Sequence, residues 1–95
     1  MTDQELSRAL RALRRTVQML ETELRQGLTD EGLLAEIEVQ MERGIASDTR
    51  CTELVRGVDS LRENTLTPRA ALLGDTIRCC EKLKDAIEGV IVQLG

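Results

Sequence analysis

Apolar residues recur at Leu6, Leu10, Leu13, Val17, Leu20 and Leu24, at spacings of four and three in strict alternation. That is the seam of a heptad repeat nearly three repeats long, and it predicts a helix with one apolar stripe. Helix formers fill the other positions, and Thr2 or Asp3 ahead of Glu5 supplies an N-cap. Beyond Leu24 the pattern forks. Gly27, the run Leu28-Thr29-Asp30-Glu31 and Gly32 read as the end of one helix and the start of another. A glycine inside a helix costs only about 1 kcal/mol, however. Leu34 and Met41 also stay on the heptad extended from Leu24, with Gly27, Glu31 and Glu38 as its weak members. A first helix continuing to about Arg43 is therefore the leading reading, and a break at Gly27 to Thr29 its rival.

Gly44 then reads as a C-cap and Ser47 or Asp48 as the next N-cap. Cys51, Leu54, Val55, Val58 and Leu61 keep a helical period until Asn64 and Thr65, where polar residues predict a turn. Thr67-Pro68 is a start signal, because threonine caps free N–H groups and proline at the first helical position gives up none that was bonded. The last helix carries Leu73, Ile77, Cys80, Ile87, Ile91 and Leu94 as its seam. Leu83 and Val90 widen that stripe and Lys84 interrupts it, which puts Cys80 inside and Cys79 on the flank. Nothing alternates with a period of two for long enough to form a sheet. The expected fold is all-α, a single helical domain over residues 1–95 built as an elongated antiparallel three-helix bundle with coiled-coil-like seams.

Composition narrows the chemistry. The 95 residues contain no histidine, phenylalanine, tryptophan or tyrosine. Without histidine there is no Ser/His/Asp or Cys/His nucleophile and no HExxH zinc site. Without aromatic rings there is no base-stacking platform. The 13 basic and 17 acidic residues leave a net charge of −4, which disfavours polyanions and argues against a nucleic-acid partner. The charge is uneven: Arg8, Arg11, Arg14 and Arg15 crowd the start, whereas acids dominate from Glu21 to Glu42. Cys51, Cys79 and Cys80 are odd in number, two of them adjacent, and no secretory leader is expected ahead of them. Free thiols in a reducing cytoplasm are expected. No apolar run is long enough to span a bilayer, so no membrane partner is expected. Three cysteines without histidine or a CxxC pair make a weak metal site, and no metal or cofactor is expected.

The segments Leu10-Arg11-Ala12-Leu13-Arg14-Arg15 and Leu20-Glu21-Thr22-Glu23-Leu24, then Leu61-Arg62-Glu63 ahead of Pro68 and the Leu83/Ile87 stripe after Cys80, resemble the tubulin-binding cofactor A family. The run Ala35-Glu36-Ile37-Glu38-Val39-Gln40-Met41-Glu42-Arg43-Gly44 resembles the end of that family's long first helix and its loop. The resemblance implies a cytoplasmic, cytoskeleton-associated chaperone-like protein that captures β-tubulin on a helical surface without catalysis, as a monomer or weak homodimer. It implies polar contacts from Arg11, Arg14, Arg15, Arg62, Glu63 and Arg69 to the acidic client. Two other classes fit the same residues. One is a structural coiled-coil subunit or self-associating adaptor that uses the Leu6 to Leu24 seam between chains; the other is a small secretion chaperone. An enzyme is not expected, since Ser7, Ser47 and Ser60 have no identifiable base and the acids fit an exposed helix surface.

Overall fold

A computed structural model describes residues 1–66 and 73–95. Among them are four α-helices and no strand: α1 (Asp3–Arg25), α2 (Glu31–Gln40), α3 (Thr52–Leu66) and α4 (Leu73–Leu94). The all-α expectation holds, and the three-helix count is corrected to four.

The extra helix comes from the rival break. α1 opens with a capping box, in which the Thr2 hydroxyl accepts the Glu5 N–H at 3.1 Å and the Glu5 carboxylate reaches back to Thr2. It closes at Gly27, whose φ of 80° lies in the left-handed region. There the Gly27 N–H donates to Leu24 O and the Leu28 N–H to Glu23 O, both at 2.9 Å, the paired bonds of a Schellman motif. Asp30 then caps α2 by accepting the Leu33 N–H at 3.1 Å. A continuous helix would have turned Gly27, Glu31 and Glu38 toward the seam. Reversal instead buries Leu34, Ile37, Met41 and Ile45, of which Ile37 lies off the extended heptad. Burying a large aliphatic side chain contributes about 1.5–3 kcal/mol, so the reversal outweighs a glycine's neutrality within a helix.

α2 runs into a wide turn over Met41–Ile45, closed by the Ala46 N–H donating to Met41 O at 2.8 Å, with Gly44 at φ 116°. Asp48 accepts the Arg50 N–H at 2.9 Å, and a 3₁₀ turn, Thr49–Cys51, leads into α3. Asn64 and Thr65 lie inside α3 rather than in a turn. Their polar groups are satisfied there: the Thr65 hydroxyl donates to Leu61 O at 2.7 Å, and Asn64 Nδ2 donates to Cys79 Sγ at 3.2 Å. The Thr67-Pro68 start signal lies outside the described residues.

Cross-helix contacts set the topology. Arg50 pairs with Asp3 at 3.2 Å, and Met1 lies against Gly44, so the bottom of α1 meets the end of α2 and the start of α3. Asn64 meets Cys79 near the other end, while Arg14–Glu88 and Arg25–Glu81, each 2.7 Å, run α4 antiparallel to α1. The helices thus alternate in direction, in the cyclic order α1, α2, α3, α4. α1 packs most extensively on α4, and the α2–α3 seam is the thinnest. The particle measures 40 × 20 × 18 Å.

The core holds the whole Leu6 to Leu24 seam, Leu34 and Ile37 of α2, Met41 and Ile45 of the wide turn, Cys51, Leu54, Val58 and Leu61. In α4 the buried stripe is Thr76, Cys80, Leu83, Ile87 and Val90, whereas Leu73, Ile77, Ile91 and Leu94 are only half-buried. The predicted α4 seam is therefore rotated. α4 packs against α1 and α3 at once, so its centre line points between them; Cys80 and Ile87 of the expected seam stay on that line and the others fall to its margins.

Candidate partner-binding surface

On α1, Arg8, Arg11, Arg15 and Met19 follow one another at spacings of three and four on the side opposite the leucine seam. That geometry makes a single outward stripe. All four are exposed, Met19 at 52%. Among the described residues none of these three arginines is in an ion pair, whereas Arg14, Arg25, Arg50, Arg56, Arg62 and Arg78 each are. The stripe is thus an uncompensated cationic ridge on a molecule of net charge −4.

The other residues of the expected site are dispersed. Arg14 turns into the α1–α4 seam and pairs with Glu88 at 2.7 Å. Arg62 crosses from α3 to Glu38 of α2 and also approaches Asp59 at 3.7 Å. Glu63 is exposed on α3, and Arg69 lies outside the described residues. The α1–α4 and α2–α3 seams are opposite sides of the bundle. One flat partner surface does not reach Arg14 and Arg62 together, and only Arg11 and Arg15 of the expected set share the outward stripe.

Three features were not read from the sequence. The first is a charged cluster at the α1–α4 seam. Glu21, only 4% exposed, meets Lys84 Nζ at 2.8 Å and Arg25 Nε at 3.2 Å, and Lys84 also donates to Gln18 Oε1 at 2.6 Å. Burial pushes the Glu21 carboxyl upward, but hydrogen bonds and charge from Lys84 and Arg25 outweigh it and hold the group below its ordinary value. Lys84 interrupted the apolar seam because it answers Glu21; the interruption was the signal, and the apposed acid was the missing half.

The second is a cavity of ≈ 280 Å³ between α3 and α4, lined by Gly57, Ser60, Cys79, Lys82, Leu83 and Ala86. Cys79 is half-exposed there. Cys51 and Cys80 are buried, and burial foremost raises both thiols, Cys80 to about 12. The third is a smaller hole of ≈ 130 Å³ in the α2–α3 seam. Its apolar floor includes Met41, Val55 and Val58, and its rim Glu38, Glu42, Asp59 and Arg62.

Among the described residues no helix is long and apolar enough to cross a membrane, and no group of three or more Cys, Asp or Glu side chains is placed to hold a metal ion. No family model, curated protein or solved structure matches the chain.

Proposed function

We propose that this protein is a non-catalytic, chaperone-like binding module that offers the outward arginine stripe of α1 to an acidic protein surface. β-Tubulin is the client that the resemblance to tubulin-binding cofactor A names. The observation that carries the reading is the uncompensated charge of Arg8, Arg11 and Arg15 beside exposed Met19. Guanidinium groups bind carboxylates in forked pairs, and a cationic ridge steers an acidic partner before contact. The affinity would come from a few desolvated anchors within a charged rim. The layout that the resemblance implies has three helices and the described residues form four, so the client rests on the α1 residues rather than on a shared fold. A cytoplasmic, cytoskeleton-associated protein is the setting this reading requires.

The test is co-elution with β-tubulin in size-exclusion chromatography with light scattering. The protein carries a label on Cys79, because it has no aromatic absorbance. Wild type is expected to co-elute, and Arg11→Glu/Arg15→Glu to lose capture with unchanged helicity and thermal midpoint. Unaltered capture by that variant removes the stripe from the site. A wild type that ignores β-tubulin rejects the client, and a stable oligomer that does so makes the structural-subunit reading the leading one.

A further inference from the structure

We infer that the α2–α3 groove is a docking site for the α1 stripe of a second copy of this chain, so that the protein self-associates head to tail. The groove and the stripe are complementary in charge and polarity. The hole of ≈ 130 Å³ has an apolar floor at Met41, Val55 and Val58 in the least tightly packed seam of the bundle. Its rim carries Glu38, Glu42 and Asp59 against the single cation Arg62, which already pairs with Glu38 and Asp59. Glu42 is exposed and in no ion pair among the described residues. The occupant this chemistry selects is a helix with one long apolar side chain preceded by cations.

The α1 ridge has that composition. Met19 is 52% exposed and lies outside the core cluster, and its unbranched side chain adapts to an irregular hole. Arg15 stands one turn before it, about 6 Å along the axis, and Arg11 one turn further. Docking places Met19 over Val55 and Val58 of the neighbour and brings Arg15 to the rim carboxylates. The two surfaces do not overlap, since α1 is diagonal to α3 in the bundle, so each molecule donates its stripe to one neighbour and its groove to another. Such a heterologous contact builds open chains, or rings where the rotation between copies closes. One helix ridge in one groove is a small interface, so the association is weak and concentration-dependent. Self-contact and client capture use the same arginines, but the inference does not rest on the client reading, because its test contains no client.

The experiment is sedimentation equilibrium of the full chain over a concentration series at low salt, with two half-blocked variants. Met19→Asp removes the donor and leaves the groove; Glu42→Lys reverses the rim and leaves the donor. Both positions are exposed, and circular dichroism confirms that each variant keeps its helicity. Wild type is expected to rise in mass above the 10.6 kDa monomer as concentration increases, and to fall back when salt screens the charges. Each variant alone is expected to associate at least about tenfold more weakly. Mixing the two should restore pairing, as a 1:1 dimer that grows no further, because each partner supplies the surface the other lacks. A wild type that stays monomeric to its solubility limit overturns the inference and leaves the groove to a basic helix of another protein. Association that survives either variant, or variants that fail to complement on mixing, also overturns it.

Discussion

Replacing Lys84 by methionine isolates the ion pair in the α1–α4 seam. The methionine keeps most of the aliphatic bulk where the Lys84 side chain is 15% exposed, and removes the ammonium 2.8 Å from Glu21, whose side chain is 6% exposed. Stranding a buried charge costs about 3–5 kcal/mol. Arg25 stays at 3.2 Å and offsets part of this, so a loss of about 2–3 kcal/mol is expected at neutral pH. The pH dependence identifies the cause. In the wild type the Glu21 carboxyl is depressed, so the stability it contributes is present above the ordinary carboxylate range and is lost as pH falls through its lowered folded value. In Lys84→Met the burial that opposes ionisation loses its strongest counterweight, and the carboxyl moves upward. The deficit relative to wild type should therefore be widest at about pH 7 and narrow by about pH 4, as Glu21 takes up a proton. Glu21→Met/Lys84→Met should recover most of the loss, since an apolar pair of similar volume leaves no stranded charge. Urea unfolding followed by far-ultraviolet circular dichroism measures all three proteins. A loss below about 0.5 kcal/mol, a deficit that does not change with pH, or a double variant worse than the single one would refute the reasoning.

Gly27→Ala should cost about 1 kcal/mol through the left-handed backbone alone, because no atom lies within 4 Å of the added methyl group; an unchanged urea midpoint would contradict the Schellman turn. Leu13→Asp places a charge at a position with 0% exposure and should unfold the bundle, a loss of about 4 kcal/mol or more; a folded, fully helical monomer would show that the seam is not core. In the native protein an alkylating reagent should modify Cys79 far faster than Cys51 or Cys80, as peptide mapping by mass spectrometry reads directly; equal rates at the three positions would contradict their burial.

The sequence by itself determined what local chemistry controls. The Leu6 to Leu24 seam, the Thr2 cap, the Gly44 stop and the Asp48 start were all legible, because each depends on residues within a turn or two of one another. So was the burial of Cys80 with Cys79 at the flank. The outward α1 arginines were legible in part: Arg11 and Arg15 were singled out, while Arg14, one residue away, turns to Glu88 on a helix more than 70 positions further on.

Tertiary structure decided the rest. Gly27 suits a helix end, but inside a helix it costs only about 1 kcal/mol. The packing of α2 on α1, which buries Ile37 off the extended heptad, favours the turn, and that packing is invisible along the chain. The stripe of α4 could not be centred from its own residues, since its direction is the resultant of two neighbours, α1 and α3. The pairing of Lys84 with Glu21, and of Arg62 with Glu38 across the groove, join residues tens of positions apart. Periodicity reports which face of a helix is apolar; which other helix that face meets is set by how the four pack together.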